Sequence, residues 1–147
     1  MDLTFTKRGG KSDDLTIVRA DGTRESIACP KQGIIPHDMV HFAVESVLAA
    51  RGFLALVAQG KSAAFATTGA ADEEAIERLV ETFQAEMWGG RVPVDDLIAT
   101  YEHACGARGH PVAAIAPAEV EAIRAQLDLL TRQWASVPLD GALTLSL

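Results

Sequence analysis

At Pro36 the spacing of apolar residues changes from every second residue to the helical repeat, and this switch limits the chain to a sheet followed by helices. Before it, Leu3-Thr4-Phe5-Thr6-Lys7 alternates apolar and polar side chains, and Gly9-Gly10-Lys11-Ser12-Asp13 reads as a turn. Leu15-Thr16-Ile17-Val18-Arg19 is rich in β-branched residues. Asp21-Gly22 then supplies a tight turn that needs positive φ, and Ser26-Ile27-Ala28-Cys29 runs up to Pro30. Residues 1–35 are therefore expected to form an antiparallel β-meander.

After the switch, residues 36–137 read as mainly helical. Pro36 fits the first helical position and Gly52 the stop, with Met39, Val40, Ala43, Val44, Val47 and Leu48 on one apolar arc and Phe42 outside it. Phe53-Leu54-Ala55-Leu56-Val57-Ala58 is continuously apolar. It suits either a strand paired with Ala63-Ala64-Phe65-Ala66 or a short buried helix.

Ile76, Leu79, Val80, Phe83 and Met87 form the next stripe, with Asp72, Glu73 and Glu74 in its first turn and Gly89-Gly90 at its end. Pro93 opens a helix with Val94, Leu97, Ile98, Tyr101 and Cys105 inward. Pro117 opens the longest, whose Val120, Ile123, Leu127, Leu130, Trp134 and Val137 make a packing seam. Residues 141–147 alternate again and read as a terminal strand rejoining the sheet. The expected architecture is one α+β domain over 1–147, with a β-meander against about four amphipathic helices.

A chain of 147 residues that is 48% hydrophobic can bury a core without disulfides or metals. Cys29 and Cys105 are far apart and read as small buried hydrophobes. No apolar run is long enough to cross a bilayer, and Met1-Asp2-Leu3-Thr4 lacks a signal-peptide layout, so a cytoplasmic location and no membrane contact are expected. The net charge of −7 opposes nucleic-acid binding, and residues 36–147 carry the acidity, with seven basic and fifteen acidic side chains. Lys7, Arg8 and Lys11 suit the solvation of a hairpin tip or contact with an anion.

His37 and His41 are the residues best spaced for chemistry. Four apart on a helix, they place two imidazoles on one face about 6 Å apart, the geometry of H-E-x-x-H zinc sites. Asp38 stands where that motif carries its general base, one methylene shorter. A helix N-terminus disfavours a cation, and Glu45 lies about 12 Å along the axis from His37, so a third ligand has to come from another element. Glu73 and Glu77, near the edge of the acidic helix's apolar stripe, are the candidates.

Other chemistries find less support. Ala55 to Ser62 matches a phosphate-loop pattern only with Ala for its first Gly, and the stretch is too apolar to cradle phosphate. There is no Gly-x-Ser-x-Gly elbow, and His103 and Cys105, two apart on a helix, point away from each other. His103 projects away from its helix's apolar stripe, and His110 precedes Pro111 in a loop. The chain is thus read as a divalent-metal domain, zinc by ligand type, resembling a degenerate hydrolase over five residues only. The alternatives are a homodimeric interaction protein using Trp134 and Phe42, and a small-molecule binding fold with a pocket between sheet and helices.

Overall fold

The computed structural model describes residues 1–49, 52–64 and 70–147 and has an α+β fold. Its sheet contains β1 (Asp2–Thr6), β2 (Ser12–Val18), β3 (Arg24–Pro30) and β4 (Ala142–Ser146), all antiparallel, in the order β3-β2-β1-β4. Thr4 lies opposite both Thr16 and Thr144, so the chain's first and last strands are neighbours. The expected return of the C-terminal segment to the sheet is present.

Alternation gives the sheet two unlike faces. Leu3, Phe5, Leu15, Ile17 and Cys29 point inward and are buried, whereas Thr4 bonds Thr144 and Thr16 bonds Ser26 on the wet face. Between β2 and β3 the Asp-Gly turn forms as its sequence requires. Gly22 takes φ 84°, and Asp21 accepts hydrogen bonds from the Thr23 amide and hydroxyl.

Among the described residues five helices follow rather than about four: α1 (His37–Leu48), α2 (Phe53–Ala58), α3 (Ala71–Gly89), α4 (Val94–Ala107) and α5 (Pro117–Ser136). The additional one is α2, which settles residues 53–58 as helical. Ala63 and Ala64 form a turn, while Phe65 and Ala66 lie outside the described residues. Pro36 is the N-cap of α1 rather than its first residue, so His37 begins the helix. Gly52 does not stop α1, which ends at Leu48 with Ala49 in a left-handed conformation; Gly52 instead precedes α2 in extended backbone.

The central element is α1, packed against α2, α3 and α5. All seven residues from Met39 to Glu45 are buried, so its apolar surface is no single arc. Phe42, expected outside the arc, is 6% exposed, whereas Val47 and Leu48 are only half-buried. A helix surrounded on all sides belongs to the core, and polar residues upon it must find partners there.

The outer helices are tied together by buried polar groups. Arg124 of α5 donates two hydrogen bonds to the Glu86 carboxylate of α3 and one to the Val92 carbonyl. The Tyr101 hydroxyl of α4 donates to the Ala113 carbonyl and accepts from its amide, which pins the α4–α5 connection. Sheet and helices share one hydrophobic core, with Phe5, Met39, Phe83, Tyr101, Ile123 and Leu130 among its members. No helix among the described residues is long and apolar enough to cross a membrane.

Candidate metal centre

His37 and His41 occupy the first two turns of α1, and Glu77 faces them from the second turn of α3. One ligand atom from each lies within 4.8 Å of those of the other two, the one such histidine and carboxylate cluster among the described residues. The rings meet edge to face with centroids 4.9 Å apart and planes at 80°. His41 is buried, and His37 and Glu77 are partly exposed, so the cluster opens on one side to solvent.

His41 is held at both ring nitrogens. Nδ1 lies 3.2 Å from Glu45 Oε2 and Nε2 lies 3.3 Å from Glu77 Oε1. Burial pushes the imidazole toward its neutral form, but the two carboxylates outweigh it and raise His41 to about 9. At Glu77 burial acts in the opposite sense, toward protonation. The hydrogen bond from His41 and its charge prevail and hold the carboxyl below its ordinary value. Phe53 closes another side of the His41 ring at 5.5 Å between centroids.

Three further residues shape the cluster. Gln84, two turns beyond Glu77 on the same face of α3, accepts a 3.0 Å hydrogen bond from His37 Nδ1 and leaves Nε2 for another partner. Glu45, 3% exposed, takes hydrogen bonds from the Leu54 and Ala55 amides at 3.1 Å each besides that from His41. Gly52 makes this approach possible, because a Cβ there would stand 2.5 Å from Glu45 Cδ and 2.8 Å from Ile76 Cγ2.

The structure thus brings together three of the five residues singled out by spacing. Asp38 is not among them. It turns toward the sheet and accepts a hydrogen bond from Cys29 Sγ at 3.2 Å, so nothing in its position supports the expected general-base role. Burial, with Asp38 adding to it, pushes the Cys29 thiol well above its ordinary value, and the pair joins α1 to β3. Glu73 is buried one turn before Glu77 and lies outside the cluster.

Sequence reasoning passed over Gln84, and it weighed Glu45 only as a ligand too distant from His37 or as part of a surface hydrogen-bonding row with Asp38 and His41, whereas Glu45 is buried against His41. For Glu45 the signal was its place four residues after His41 on a helix otherwise apolar at that depth; for Gln84 it was the seven-residue step from Glu77. Of the remaining histidines, His103 is exposed as expected, and His110 lies 3.7 Å from Glu74 and 3.4 Å from Arg78.

The aromatic residues expected at a self-association surface are placed otherwise. Phe42 and Trp134 are each 6% exposed within the chain's own core, and Trp134 carries Lys7 Nζ over its ring at 4.7 Å. Trp88 instead reaches solvent, 62% exposed, with its indole nitrogen against Gly33. Of the basic residues near the first turn, Lys7 donates to the Trp134 carbonyl, and Arg8 pairs with Asp14 and Asp140. No protein-family model matches the chain, and no curated protein or solved structure matches it.

Proposed function

We propose that this chain is a divalent-metal-binding domain, with His37, His41 and Glu77 as ligands and zinc as the preferred ion. The observation that carries the reading is the convergence of these three donors from two helices, with the Nδ1 atoms of both histidines engaged by Gln84 and Glu45. Metal-binding histidines typically donate their second ring N–H to a carboxylate or carbonyl oxygen, which fixes tautomer and orientation.

The dimensions support it. Bonds of about 2.0–2.2 Å to nitrogen and oxygen in a tetrahedral shell put neighbouring donors roughly 3.3 Å apart. His41 Nε2 and Glu77 Oε1 already have that spacing, at 3.3 Å. The remaining separations, within 4.8 Å, ask for at most about 1.5 Å of closure. Two imidazoles and one carboxylate form a donor set that zinc takes in tetrahedral sites with an open fourth position. Three protein ligands leave a fourth position for water, but Asp38 faces Cys29, so the reading is of a metal domain and not of a hydrolase.

Elemental analysis of protein purified without a histidine tag, followed by zinc titration calorimetry, tests this reading. About one equivalent of zinc is expected in the wild type, with affinity reduced by at least roughly 10-fold in His37→Ala and in Glu77→Gln. An absence of zinc binding, or binding that neither substitution weakens, overturns it.

A further inference from the structure

The carboxylate behind His41 does more than orient a ring. Glu45 is one end of a hydrogen-bonded path that runs from the proposed metal ligand into α2 and on to the sheet. Its Oε2 accepts from both His41 Nδ1 and the Leu54 amide, and its Oε1 accepts from the Ala55 amide. These two amides belong to the first turn of α2, where no intrahelical acceptor exists, so Glu45 supplies the cap from a different helix.

At the far end of α2, Arg19, the residue after β2, donates from Nε to the Val57 carbonyl at 2.6 Å and from an NH2 group to the Lys61 carbonyl at 2.8 Å. Arg19 also pairs with Glu25 at 2.7 Å, and Glu25 in turn accepts from the Ser62 hydroxyl and the Ala63 amide. The segment 52–63 is thus clasped at two points. One is the β2–β3 edge. The other is a carboxylate shared with His41.

We propose that Glu45 couples occupancy of the His37–His41–Glu77 centre to the docking of α2, so that metal binding tightens residues 53–58 and the docked helix strengthens metal binding. The inference rests on the metal-binding reading above. Without an ion, the His41 ring is held between two carboxylates, Glu45 at Nδ1 and Glu77 at Nε2. An ion at Nε2 displaces the proton there to solvent and leaves the ring with its one N–H on Nδ1, directed at Glu45, the carboxylate–histidine–metal arrangement. A carboxylate held in that way presents its oxygens to Leu54 and Ala55 in one geometry. The close fit of Gly52 leaves the Glu45 carboxyl little room for another. Reciprocity follows because coupling free energy belongs to both sites equally.

Amide hydrogen exchange of the full chain with and without zinc tests the coupling, with calorimetry on the same samples. Zinc is expected to slow exchange at Leu54 and Ala55 by roughly 5- to 100-fold more than at Leu127 and Leu130 of α5. In Glu45→Gln, zinc affinity is expected to fall roughly 10- to 100-fold, and the extra protection at Leu54 and Ala55 to vanish at saturating zinc. If zinc binds but protects α2 no more than α5, the coupling is overturned and the metal site stands. If zinc does not bind, both are overturned. The wild-type comparison decides the matter even if Glu45→Gln does not fold.

Discussion

Glu45 shows how a single buried carboxylate can organise its surroundings. An ionisable group on a helix enclosed on all sides costs several kcal/mol unless hydrogen-bond donors replace its water, and Glu45 gathers three. The same closeness makes Gly52 indispensable. Gly52→Ala is expected to lower stability by about 1–3 kcal/mol through overpacking against Glu45 and Ile76, measured by urea unfolding; a variant as stable as wild type contradicts that packing. The two tryptophans offer a second check. Acrylamide should quench Trp88 strongly and Trp134 weakly, so Trp88→Phe protein should be the less quenched of the two single-tryptophan variants. At this scale the spacing of His37, His41 and Glu77 was readable. Asp38 was not, because each residue turns about 100° around a helix axis and the β3 neighbour that receives it comes from outside the motif.

At the scale of elements, the helices after Asp72 could be read because each has one apolar stripe and clear end signals. The centrality of α1 escaped, since a sequence arc reports how many apolar residues a helix has and not how many neighbours surround it. Phe42 carries the difference. Phe42→Ala is expected to cost about 3–5 kcal/mol in denaturant unfolding, the signature of a core position; a cost below about 1 kcal/mol would mark it as peripheral.

The clasp between α2 and the sheet has its own acid signature. The Arg19 hydrogen bond, helped by the Ala63 amide and Ser62 hydroxyl, holds Glu25 at about 2 against an ordinary 4.5. A carboxyl lowered in the folded state stabilises above its unfolded value and loses that contribution as pH falls toward its folded value. The stability gap between wild type and Glu25→Gln should therefore be full at pH 7 and shrink as pH drops from 4.5 toward 2. A gap that stays constant over that interval would contradict the assignment.

Across the whole molecule, the meander and the return of residues 141–147 were legible from alternation, whereas the partner of the last strand is a tertiary fact. Its position beside β1 makes β1 an interior strand, flanked by β2 and β4. Deleting residues 142–147 should accordingly do more than trim an end: loss of the Leu143 and Leu145 packing and exposure of one β1 edge are expected to lower the urea midpoint and promote aggregation, read by unfolding and light scattering. That pairing also governs when the sheet is complete. The Met1 amine and Leu147 carbonyl, and the Leu147 amide and Met1 carbonyl, are bonded over a separation of 146 residues. During synthesis β1 and β2 emerge early and can close their hairpin, but the other edge of β1 waits for a strand made about 140 residues later. β1 thus gains its second neighbour only after the intervening strands and helices have been made, and the nascent chain carries an open β-edge until β4 leaves the ribosome.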